Sequence, residues 1–316
     1  GSGNILLDAA GALALNADVS SGSGNITLVA GNGLSMASGV STITGAGDIF
    51  MDAGIGALLQ SSTSTTAAGE NVRLVATGDV TVAEVIADKI SVLSSANIIT
   101  APGASLNLSA SALRLDAGQA IGTGTDPLTL SVSELSALAN TGGIFLSESD
   151  DITVSSVEVT TDKVGADATT TPIADSALSD LQSGSNGSIV LSASGSITLD
   201  DGDSDGSVVA ADGSGNILLD AAGALALNAD VSSGSGNITL IGTSGVSLAS
   251  SVTAQTAGTG TIDVSSLEGG LTMATDSSIT ALDGDVVVET SADVRVAGIT
   301  TNADVSLTST AGSILD

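Results

Sequence analysis

The chain is 316 residues long and 42% hydrophobic, enough apolar material for a continuous core, yet Phe50 and Phe145 are its only aromatic side chains. It has no cysteine and no histidine, which excludes disulfides, thiol nucleophiles, zinc sites of the usual kind and any imidazole general base. Thirty-five acidic residues face only five basic ones (Arg73, Lys89, Arg114, Lys163, Arg295), and a formal charge of −30 repels nucleic acid and anionic membranes while favouring divalent cations.

The order of the chain is dominated by repetition. Residues 1–28, GSGNILLDAAGALALNADVSSGSGNITL, recur identically at 213–240. Identity of that length indicates tandem duplication. Residues 1–212 read as one long unit of nine coils and 213–316 as the first half of the next, the whole being one continuous window on a longer array. No signal peptide and no membrane-spanning apolar run is evident.

Within the long unit lies a shorter period. An aliphatic–x–aliphatic strand opens at Ile5, Ile26, Ile49, Val72, Ile90, Leu106, Leu128 and Ile144, then at Ile189, Ile217, Ile238, Ile262, Val286 and Val305. Each coil holds three such stretches, as in NILLD, ALALN and ADVSS, parted by Gly, Ser, Asn or Asp. Alternation sends one side chain inward and the next outward, so Ile5, Leu7, Leu13 and Leu15 are core and Leu6 and Ala14 surface. The pattern predicts an all-β fold: a right-handed parallel β-helix of about 14 coils, three short strands each, roughly 67 Å long at the usual strand spacing.

Asn4, Asn25, Asn71, Asn216 and Asn237 precede first strands and predict an asparagine ladder at one corner. Residues 160–188 break the rhythm and predict a loop insertion, with a short helix over 174–181.

The coil text GNITLVAGNGLSM, GDIFMDAG and GSIVLSASGSITLDD, with the stretch 120–157, resembles the repeats of filamentous-haemagglutinin-like proteins and giant repetitive surface exoproteins of Gram-negative bacteria. That resemblance implies a secreted, surface-linked rod used in adhesion, cell–cell contact or matrix. Its partners would be itself, end to end or side by side, and another cell surface, without nucleic acid or membrane insertion. It transfers no site residues.

Asp201-Gly202-Asp203-Ser204-Asp205-Gly206, with Asp212 eleven residues after Asp201, matches the D-x-D-x-D-G calcium loop. Asp at the last position is shorter than the usual bidentate Glu, and strands flank the loop, so a solvated acidic turn is the competing reading. Glu148, Asp150 and Asp151 form a second, poorly spaced cluster. Phe50 and Phe145 sit between inward aliphatics and should face outward, either as a lateral contact for a partner or covered by neighbours or by the insertion.

Catalysis is disfavoured, because the basic residues are scattered and aromatic sugar platforms are missing. Ice binding is disfavoured by the irregular outward file Leu6, Thr27, Phe50, Arg73, Ser91, Asn107, Thr129, Phe145. The function expected is a non-catalytic structural rod. The alternative is a partner-binding module using the 160–188 loop or an exposed Phe face.

Overall fold

Short aliphatic runs separated by turn residues cannot bury an interior alone, so they stack on one another. The computed structural model describes all of residues 1–316 as strands and turns without a helix. Parallel strands form a β-solenoid of about 14 turns. Two compact units divide it, residues 1–133 with 157–178, and residues 134–156 with 179–316.

In the first unit the first face stacks Ile5–Ala9, Ile26–Ala30, Ile49–Asp52, Asn71–Ala76, Lys89–Ser94 and the second half of Leu108–Ala117. The inward column runs Ile5, Ile26, Ile49, Val72, Ile90, Leu113 in unbroken register. From Ile26 onward every member is buried. Such burial stabilises by about 1.5–3 kcal/mol per large aliphatic. Leu113, not Leu106, continues this column after Ile90. Asn107 accordingly does not face outward: it is buried at a corner, its amide donating to the Val82 carbonyl and the Thr100 hydroxyl.

The insertion is not a loop with a helix. Ser156–Val164 and Thr170–Ser179 pair as a two-stranded hairpin around a turn closed by Gly165 N–H to Thr169 O. The physical reason lies in the residues. Val157, Val159 and Thr161 alternate into the protein, and β-branched Thr169–Thr171 with Pro172 favour extended backbone. The hairpin lies across the outward side of the first face and bonds four successive coils. Thr160 O accepts from Asn71, Asp162 N–H donates to Asp48, Val164 N–H donates to Thr27, and Ala168 O accepts from Asn4.

In the second unit the first face stacks Ile144–Glu148, Ile189–Ala193, Ile217–Ala221, Ile238–Gly242, Ile262–Ser266, Val286–Thr290 and Val305–Ser309. The second and third faces keep the same order from coil to coil. Glycine is required where corners touch: a Cβ on Gly236 would run into the Gly215 carbonyl, and one on Gly260 into that of Gly236.

The corner ladder exists, but it joins side chain to backbone. Asn4 Oδ1 accepts from Asn25 N–H (2.9 Å), Asn25 Oδ1 from Asp48 N–H (2.8 Å) and Asp48 Oδ1 from Asn71 N–H (2.8 Å). Aspartates do the same at other corners, Asp79 to Asn97, Asp151 to Ser196, Asp230 to Thr253 and Asp293 to Ser313. A good part of the acidity therefore caps backbone N–H groups that would otherwise lack partners.

Candidate functional site

The acidic loop follows the second-face strand Ile197–Leu199 of the second unit. Asp201 shapes it: Oδ1 accepts from Ser204 N–H (2.6 Å) and Asp203 N–H (3.2 Å), and Oδ2 from Gly206 N–H (3.0 Å). Asp203 Oδ1 accepts from Asp205 N–H (3.2 Å) and Asp205 Oδ1 from Ser207 N–H (2.7 Å), leaving each a second oxygen. Ser204 and Gly206 take left-handed backbone, φ 69° and 91°.

The chain then leaves as the strand Ser207–Ala211. Five residues at about 3.3 Å each carry Asp212 well away from the loop. Asp212 is exposed, its N–H donating to Ser183 O, and it does not join the other carboxylates. The twelve-residue calcium loop expected from the spacing is therefore incomplete in space.

Its place is taken by Asp180, a residue the sequence pattern does not single out. Leu181 pairs with Val209 in the third-face ladder, so Asp180 stacks beneath the residues that leave the acidic loop. One carboxylate oxygen each of Asp180, Asp203 and Asp205 lies within 4.8 Å of the others. Asp180 is 0% exposed and holds left-handed backbone at φ 71°. Its Oδ2 meets only the Gln182 amide at 3.5 Å, and its Oδ1 is buried without a hydrogen-bond partner. Burial, then the charges of Asp203 and Asp205, push its carboxyl up to about 7.

The second acidic cluster is consumed locally. Glu148 is buried and its Oε1 accepts from Ser149 and Asp150 N–H, while Asp151 caps Ser196. These carboxylates serve backbone.

The two phenylalanines separate. Phe50 points outward from its strand, as expected, but is only 3% exposed because the hairpin covers it. Two cations approach its ring, Lys163 Nζ at 5.0 Å and Arg73 Cζ at 5.3 Å from the centroid. Arg73 makes a bidentate pair with Asp175 (2.7 and 2.8 Å), and Arg114 Nε donates to Ser176 O (3.1 Å). Three of the five basic residues thus hold the hairpin to the first unit. Phe50 is no partner contact on this surface. Phe145 is half-buried on the first face of the second unit, in register with Val190 and Leu218.

These features define a class: a parallel β-solenoid repeat protein, an architecture compatible with adhesin-like repeat regions. Family models, curated proteins and solved structures give no match to the chain. No helix is long and apolar enough to cross a membrane.

Proposed function

We propose that the chain is a non-catalytic structural segment, the rod or filament body of a large extracellular surface protein of a Gram-negative bacterium, working as an adhesin stalk, cell–cell contact or matrix fibre. The observation that carries this reading is the unbroken parallel register within each unit, from Ile5 to Leu113 and from Ile144 to Val305. Continuous ladders of backbone hydrogen bonds resist bending, and an acidic surface keeps neighbouring copies apart. The resemblance of the coil text to filamentous-haemagglutinin-like repeats supports the extracellular assignment.

A second reading, a partner-binding module, rests on the outward apolar column Phe145, Val190 and Leu218. Side-by-side association through that column predicts that Phe145→Ser abolishes lateral pairing, and unchanged pairing removes this reading. The test of the main proposal is electron microscopy of the native material beside a denaturing gel. Long uniform fibres from a very large polypeptide support the filament body; short isolated particles from a small polypeptide overturn it.

A further inference from the structure

We propose that Asp180, Asp203 and Asp205 form a calcium site in the second unit, with Asp180 as its buried anchor and Asp201 as the residue that shapes the loop. The proposal is independent of the filament reading. An acidic turn alone would not carry it, since exposed carboxylates are content with water. Asp180 is different: it is fully buried, one of its oxygens lacks any hydrogen-bond partner, and it lies against two further carboxylates. A buried anion without a donor is costly and asks for either a proton or a cation.

The second unit supplies no cation of its own there. Its only basic residue is Arg295, which sits on the second-face strand Val294–Arg295 beside Leu271–Met273 and Ile314–Leu315, coils removed from the loop. The Gln182 amide reaches Asp180 Oδ2 at the outer limit of hydrogen bonding.

Geometry and ligand chemistry select the ion. Three oxygens no more than 4.8 Å apart leave a point no farther than about 2.8 Å from each, so a small inward movement of the side chains meets calcium's bond length of about 2.3–2.6 Å. An all-carboxylate set is hard and oxygen-only, and the exposed side of the loop admits water for the remaining positions of a six- to eight-coordinate ion. Magnesium demands shorter bonds of about 2.0–2.1 Å and near-octahedral ligands, and it gives up its waters reluctantly, so a flexible carboxylate set open to solvent favours calcium. The loop is already held by Asp201, so binding need not order it from scratch.

The site also has a structural consequence. Asp180 joins the end of the hairpin strand Thr170–Ser179 to the third-face strand Leu181–Ser183, whereas Asp203 and Asp205 belong to the loop between the second and third faces of the next coil. An ion there would tie two successive coils of the second unit at their corners.

The test is calorimetric titration of the full chain with Ca2+, after chelator treatment, at neutral pH, with Mg2+ as the control. The expected result is one tight Ca2+ per chain, weakened at least about tenfold in Asp180→Asn and in the Asp203→Asn/Asp205→Asn double variant, as loss of a charged ligand requires. Asp212→Asn should bind like the unaltered chain. Asp180→Asn replaces an unpaired buried charge by a neutral isostere, so its metal-free melting temperature should be no lower than that of the parent, while the rise on adding Ca2+ disappears. No Ca2+ binding by the parent chain, unchanged affinity in Asp180→Asn, or equal binding of Mg2+ would each overturn the proposal.

Discussion

Residues 1–28 and 213–240 are the same sequence in two surroundings. In the second unit Ile217 and Leu219 are buried, with Ile189 and Leu191 on one side and Ile238 and Leu240 on the other. In the first, Ile26 and Leu28 are buried in the same way, between Ile5 and Leu7 and Ile49 and Met51. The outward side differs. Thr27 is 0% exposed, its hydroxyl accepting from Val164 N–H of the hairpin, whereas Thr239 on the second unit's first face is half-exposed. A solenoid coil therefore does not own its burial. Its interior is sealed by the coils above and below, and its outer face by whatever crosses it.

What crosses it is decided outside the identical segment. Phe50, which with Arg73 and Lys163 anchors the hairpin, aligns with Asp263, and Arg73 aligns with Val287. The second unit thus has neither the ring nor the guanidinium that the hairpin uses. Its counterpart surface carries Asp263 and Glu289 instead, and burial, then the Glu289 charge, raises the Asp263 carboxyl above its ordinary range.

The largest expected break in this comparison is at Arg73. Arg73→Met leaves Asp175 buried without its partner, a loss of about 3–5 kcal/mol. The hairpin should detach, and tryptic cleavage after Lys163 should accelerate by orders of magnitude. Arg73→Met/Asp175→Leu should restore protection, because an apolar pair removes the stranded charge. Unaltered cleavage in the single variant would show that the clamp does not hold the hairpin.

Next comes a core truncation. Leu219→Ala should cost about 2–4 kcal/mol, read as lost hydrogen-exchange protection in the strands Ile189–Ala193 and Ile238–Gly242. Unchanged protection in those two strands would mean that neighbouring coils do not share the burial. A smaller contrast is expected from Thr27→Val and Thr239→Val. The first strands the Val164 N–H under the hairpin and should cost about 1–3 kcal/mol in urea denaturation, while the second should lie within about 0.5 kcal/mol of the parent.

The smallest effect is electrostatic. A carboxyl whose folded value is raised disfavours the folded state when ionised, so its penalty is full above that value and vanishes as pH falls through it. Asp263→Asn should therefore raise the melting temperature slightly at neutral pH, and the gain should fade on acidification toward the ordinary Asp range. A gain that persists in acid would assign it to something other than charge.

The sequence by itself determined the fold class, because side-chain alternation and turn spacing are local properties: Ile26, Thr27 and Leu28 read as in, out, in whatever surrounds them. It also placed Phe50 on the outside of its strand and Asn4, Asn25 and Asn71 at one corner, though not Asp48, which stands between Asn25 and Asn71 in that ladder. It did not determine that residues 156–179 form a hairpin, although Val157, Val159 and Thr161 carry the period of a strand, since the break in repeat length is equally compatible with a loop. Nor did it reveal that Arg73, Arg114 and Lys163 converge, being 41 to 90 positions apart along the chain. The acidic loop was legible as far as Asp201, Asp203 and Asp205, which share one turn. Asp180 was not, and Asp212 was wrongly joined to them, because linear spacing measures distance along the chain, whereas a solenoid brings together residues one coil apart. Only the stacking register, Leu181 on Val209, puts the buried carboxylate beneath the loop.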